Sequence, residues 1–138
     1  MEDALNAILI ELRRRHQPVP RPRRRAAPQD IDAAEQALGR RFRDDYRVFL
    51  AEAADLNVGT LEPFSVVTSG SHIDLVSEVR DAWDTGVPID LLPFCGDNGN
   101  YFCLAKDGTV VYWDHNGPTH ESWSNLAEWI RTVWIGED

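Results

Sequence analysis

Cys95, Cys103, His115, His120, Asp97 and Asp114 are the side chains best suited to chemistry. Cys95, Cys103, His115 and His120 carry the sulfur and imidazole donors that zinc prefers, but their spacing works against a site. Seven residues separate the cysteines and four the histidines, whereas structural zinc sites take cysteine pairs from knuckles with about two to four residues between. Cys103 also falls in the middle of an apolar run, where a small apolar residue packs well. The four read as two buried thiols and two loop imidazoles, with no metal and no cofactor implied. Asp97 and Asp114 could instead form a carboxylate pair with His115 as acid or base. Against that, Asp97-Asn98-Gly99-Asn100 has the composition of a polar turn, in which Asp and Asn bond the backbone and Gly supplies a positive φ. No nucleophile accompanies these groups: there is no G-x-S-x-G and no cysteine beside a histidine. Phosphate-loop and dinucleotide fingerprints are missing, and DNGN lacks the spacing of a calcium loop. The sequence therefore points away from an enzyme, with no catalytic residue, and toward a binding module.

These residues must be positioned by the segment Leu91–His115. Apolar runs Tyr101–Ala105 and Thr109–Trp113 flank Asp107-Gly108, the strongest short-range signal for a hairpin with a two-residue type I′ turn. That loop pairs Lys106 with Thr109, sets Phe102 opposite Trp113 and Tyr101 opposite Asp114, and gathers Phe102, Leu104, Val111 and Trp113 on one core face. Tyr101, Cys103, Val110, Tyr112 and Asp114 fall on the other, which is too apolar to lie bare, so both faces are expected to be covered. Asp114 then stands at the open end of the hairpin, near the turn that holds Asp97.

Ahead of the hairpin, Leu5, Ile8, Leu9 and Leu12 have the spacing of an amphipathic helix over 2–15. A second helix is predicted from Pro28 to Gly39, burying Ile31, Ala34 and Leu38. A third, capped by Asp44 or Asp45, buries Tyr46, Phe49, Leu50 and Ala53. Leu61–Thr68 reads as a strand with Pro63 near its start. Ser71-x-x-Asp74 resembles a capping box before a helix carrying Val76, Val79 and Trp83. Ile89–Cys95 reads as a short strand. Leu126, Trp129, Ile130, Val133 and Trp134 give the clearest amphipathic helix, started by Ser124 or Asn125.

Length and charge bound the class. The 138 residues fit one domain. No apolar run approaches the ~20 residues of a membrane span, and Glu2, Asp3 and Glu11 interrupt what would be a signal core. Two cysteines make no disulfide framework and suit a reducing cytoplasm. The net charge of −9 hides a division. Residues 1–50 hold 11 of the 14 basic and 8 of the 23 acidic side chains, a surplus of three positive; the remainder holds 3 basic and 15 acidic, a surplus of twelve negative. Seven arginines lie from Arg13 to Arg25 among Pro18, Pro20 and Pro22, which forbid helix. This arm has three readings: a solvated linker extended by its own charge, which is favoured; a binder of an anionic surface; or a segment folded back on the acidic body. The body itself repels phosphates, so nucleic acid is not expected there, and a basic protein partner suits it.

Three blocks resemble the SMI1/KNR4 superfamily, also called SUKH. Ile31–Ala53 is similar to the pattern I-x-x-x-E-x-x-L-G-x-x-L-P-x-D-Y-x-x-F-L, matching at Ile31, Glu35, Leu38, Gly39, Asp45, Tyr46, Phe49 and Leu50, with Phe42-Arg43 in place of Leu-Pro. Leu91–His115 resembles the family's pocket-and-hairpin segment, with Asn100 at a usually acidic position. Ser122–Ile130 resembles its closing S-F-x-E-F-L helix. The resemblance implies an α+β fold, a single domain over 1–138 with a central mostly antiparallel sheet and helices packed on it. Residues 1–27 would form the N-terminal helix and basic arm, and 28–134 the core. It also implies a cytoplasmic immunity protein that binds and neutralises the cognate toxin domain of an interbacterial polymorphic toxin system by stoichiometric protein–protein inhibition.

The acidic body suits a basic, nucleic-acid-targeting toxin. The candidate partner-binding set is Asp97, Asn98, Asn100, Asp114 and His115 at the hairpin mouth, with Asp81 and Asp84 beside an exposed Trp83 as a second patch. The competing reading has these acids merely solvating the surface and Trp83 in the core. A runner-up from another class is a regulatory or scaffold protein whose Arg13–Arg25 arm binds an anionic partner. The sequence sets no oligomeric state.

Overall fold

The computed structural model describes residues 2–20, 23–53, 55–67 and 73–136. Its elements follow in the order α1 (Glu2–Arg14), α2 (Pro28–Leu38), α3 (Asp44–Ala53), α4 (Leu75–Asp84), β1 (Leu92–Asp97), β2 (Asn100–Leu104), β3 (Val110–Asp114), β4 (Gly117–Trp123) and α5 (Leu126–Trp129). A π-helical turn, Ile130–Trp134, extends α5. The four strands form one antiparallel meander in the order β1-β2-β3-β4, and the whole is a single α+β domain.

The helices form where their pattern demands. Pro28 opens α2, the Asp30 carboxylate accepts the Ala27 N–H at 2.8 Å, and Gly39 closes it at φ +70°. Asp74 caps α4 by accepting from the Ser77 N–H at 3.1 Å; Ser71, the other half of the expected capping box, lies outside the described residues. Asp44 and Asp45 occupy the first turn of α3 instead of capping it, and Asp45 pairs with Arg43. The core is aromatic. Trp129 is fully buried, with ring centroids 4.8 Å from Phe94, 5.3 Å from Phe102 and 6.4 Å from Phe49. Each such burial stabilises by roughly 1.5–3 kcal/mol. Leu5, Leu9 and Leu12 of α1 join this cluster, so the packed core begins ahead of residue 28.

The central hairpin differs from the expected one by one residue. Its loop has three residues, Lys106-Asp107-Gly108, with the Ala105 N–H donating to the Thr109 carbonyl at 2.8 Å and the Gly108 N–H to the Ala105 carbonyl at 3.0 Å. Only Gly108 has a positive φ, +94°. Asp107 keeps an ordinary φ and accepts the Thr109 N–H at 3.0 Å. This is a turn followed by a glycine bulge. Tyr101 therefore faces Trp113 and Phe102 faces Tyr112. A one-residue slip turns every side chain over, so Val110 and Tyr112, not Val111 and Trp113, share the core face with Phe102 and Leu104. Tyr101, Cys103, Val111 and Trp113 pack with Ala82, Trp83, Val87 and Leu91, so both faces are covered.

Other differences have local causes. Residues 61–67 make isolated bridges, Pro63 to Cys95 and Ser65 to Asp74, and no strand, because proline cannot donate to a ladder; Thr68 lies outside the described residues. Leu91 donates to the Pro88 carbonyl in a turn, so β1 starts at Leu92 and Ile89 is exposed. β4 carries no periodic signal in the sequence, because G-P-T-H-E-S-W is an edge strand with no apolar alternation. The described part of the basic arm is folded back on the body, the third of its readings, while Arg21 and Pro22 lie outside the described residues. Arg13 bonds Asp55 at 3.0 Å, Arg25 reaches Asp55 at 3.8 Å and Glu52 at 3.9 Å, and Arg23 donates to the Leu56 carbonyl at 3.1 Å.

Candidate functional site

Hairpin topology puts two turns at one end of the sheet. The β1–β2 turn, Asn98-Gly99, is a two-residue turn with both φ values positive, +51° and +91°, which asparagine and glycine tolerate. The β3–β4 turn is His115-Asn116. Asn100 ties the turns together: its Oδ1 accepts the His115 N–H at 2.9 Å and lies 2.9 Å from His115 Nδ1. Asp114 Oδ1 is 3.4 Å from the same nitrogen and accepts the Asn116 N–H at 2.9 Å. With two oxygens facing it, Nδ1 carries the ring proton, and Nε2 is left to accept from Asn116 Nδ2 at 3.3 Å. Tyr112 donates its hydroxyl to Asp97 Oδ2 at 2.8 Å. Burial, and then this bond to a carboxylate, raise the Tyr112 pKa, keeping it a donor.

The structure thus gathers Asp97, Asn98, Asn100, Asp114 and His115 at one mouth. The Asp97 and Asp114 carboxylates each hold a different donor, and the arrangement is a fixed polar surface of acceptors. Beside it runs a cleft of about 370 Å³ whose lining includes Glu62, Phe64, Glu78, Asp97 and Tyr101. Tyr101 lines this cleft and packs with Ala82 and Trp83 of α4; burial, then the charges of Glu78 and Asp81, raise its pKa. A second groove, of about 480 Å³, lies at the opposite end, between α1, the start of α3, the Asp107-Gly108 tip and α5; its rim mixes arginines with aspartates.

The second predicted patch differs. Asp81 and Asp84 are exposed, but Trp83 is half-buried. Its Nε1 donates to the Leu91 carbonyl at 2.9 Å, and the Arg40 guanidinium covers its ring at 4.3 Å. Trp83 therefore fastens α4 to the approach to β1 and is no exposed anchor. The cysteines are fully buried on opposite faces of the sheet, away from the histidines; burial drives the Cys95 thiol far up and the Cys103 thiol to about 12. Among the described residues no group of three or more His, Cys, Asp or Glu could hold a metal ion. Tyr112, which orients Asp97, was missed because the expected register put it on the other face. A three-residue loop, needing one glycine at positive φ instead of two such residues, was the available signal.

A four-stranded antiparallel meander with helices on both faces defines an α+β domain. The chain belongs to the SMI1-KNR4 family: the family model SUKH_5, described as SMI1-KNR4 cell-wall, matches residues 5–135. Among solved structures, the crystal structure of a protein from Pseudomonas syringae pv. tomato superposes with a TM-score of 0.90 at 34% identity, covering 94% of this chain and 98% of that one. No curated protein matches. No helix among the described residues is long and apolar enough to cross a membrane.

Proposed function

We propose that this chain is a cytoplasmic immunity protein that neutralises a cognate toxin domain by one-to-one binding, without catalysis, and that the contact is made at the mouth of the sheet. The observation that carries the reading is the bond from Asn100 to His115, which joins two turns into one fixed surface holding Asp97 and Asp114. Preorganised acceptors on rigid strands suit protein recognition, since few side chains must be ordered on binding. Family membership supports a protein partner. The acidic body suits a basic toxin, such as one that acts on nucleic acid, because opposite charge speeds encounter and selects the partner. The arm does not favour the scaffold reading, because Arg13, Arg23 and Arg25 are already engaged by the chain's own acceptors.

The test is co-expression with the toxin-like C-terminal domain encoded by the neighbouring reading frame. The account predicts that host cells survive and that the two chains co-purify one to one. Survival without a complex, or no survival at all, contradicts it.

A further inference from the structure

Far from the mouth, the chain after α1 is fastened to the body by a pair of hydrogen bonds, one of whose acceptors is an imidazole nitrogen. The Gln17 N–H donates to the Asn57 carbonyl at 2.7 Å. In return, the Asn57 N–H donates to His16 Nδ1 at 3.0 Å. A backbone N–H is always a donor, so Nδ1 must present its lone pair, and the ring must be the neutral tautomer with its proton on Nε2. Protonation would turn Nδ1 into a second donor pointed at a donor, replacing attraction with repulsion and leaving the Asn57 N–H unpaired.

We propose that His16 is a proton-sensitive clasp, closed on Asn57 when neutral and opened when protonated, that tightens or loosens the crossing of the basic arm over residues 55–57. The geometry is specific because the two bonds run in opposite directions between adjacent pairs of residues, 16–17 and 57. Losing one leaves the crossing to the bond from Gln17 and to the arginine contacts beside it. The charged groups on the elements that meet here are Glu11, Arg13 and Arg14 in the last turns of α1, Arg15 just past it, Glu52 and Asp55 at and just after the end of α3, and Arg23 and Arg25 on the returning arm. Asp55 is shared by Arg13 and Arg25, so the clasp sits within the same set of contacts that pins the arm. Opening it exposes the crossing at residues 55–57 and loosens the arginine contacts beside it.

The test is amide hydrogen exchange by NMR on the full chain between pH 8 and 5, with the His16 ring titration followed in the same samples. After correction for intrinsic exchange, protection of the Asn57 and Gln17 amides should fall as the imidazole takes up its proton, by no more than about tenfold per pH unit, the slope that one coupled proton sets. Sheet amides such as Cys103 should keep their protection. His16→Asn places an uncharged acceptor near the position of Nδ1, and its clasp should stay closed throughout. Unchanged Asn57 and Gln17 protection while His16 titrates would overturn the proposal. So would an equal loss at Cys103, which would mean global unfolding, or an identical opening in the His16→Asn variant.

Discussion

The two Xaa-Gly turns of the sheet look alike in sequence and behave differently. Asn98-Gly99 is a two-residue turn with both φ values positive, and its side chains are exposed at the mouth. Asp107-Gly108 belongs to a three-residue loop in which only the glycine has positive φ, because the Asp107 carboxylate holds the Thr109 N–H instead. The second turn is also tied down. Arg43 Nη1 donates to the Lys106 carbonyl at 2.7 Å, and the guanidinium lies 2.9 Å from where a Cβ on Gly108 would stand. One end of the sheet is thus anchored to α3 and serves the fold. The other presents its polar groups outward. Substitutions at the anchored end should cost stability, and those at the open end should cost binding.

The largest stability effect is expected at Gly108→Val. A branched side chain must adopt φ +94° and also displace Arg43, so unfolding free energy should fall by at least about 2 kcal/mol, read from urea midpoints. Tyr112→Phe at the mouth removes the hydroxyl that bonds Asp97, and about 1 kcal/mol should be lost. Asn98→Gly relaxes a non-glycine residue at φ +51°, and stability should change by less than about 0.5 kcal/mol. If Asn98→Gly cost as much as Gly108→Val, the contrast between the ends would fail. The smallest effect appears only at alkaline pH. Burial raises the Cys103 thiol to about 12, so its contribution is whole below the ordinary thiol value of about 8.5. It is lost progressively as pH rises toward 12, because only the unfolded chain releases the proton. Cys103→Ala should flatten that alkaline decline in urea midpoint.

Much of the fold was legible because helical periodicity is redundant. Tyr46, Phe49, Leu50 and Ala53 mark α3 four times over, and Gly39 and Asn125 mark helix ends by their chemistry. The register of the central hairpin was not, because Asp-Gly serves two loop lengths that differ by one residue, and the competing bond from Asp107 to Thr109 decides between them. β4 was invisible because an edge strand takes its stability from backbone pairing with β3, which leaves no side-chain period. The mouth was legible as a set of polar residues, since turns concentrate Asp and Asn. Its rigidity was not, because the Asn100 bond to His115 joins residues fifteen apart. Trp83 misled for a related reason: a tryptophan among aspartates reads as exposed until the Arg40 that covers it is known.

The central claim, that the open end binds and the anchored end holds the fold, is tested most directly by calorimetric titration of the neighbouring frame's toxin domain. The titration would compare the unaltered chain with an Asp97→Lys, Asp114→Lys variant, whose urea midpoint is measured in parallel. Truncating or reversing charges at a protein interface costs about 2–5 kcal/mol when they are well buried on binding. The account therefore predicts at least about a thirtyfold weaker complex with folding stability lowered by no more than about 1–2 kcal/mol. Unchanged affinity in a folded variant would contradict it.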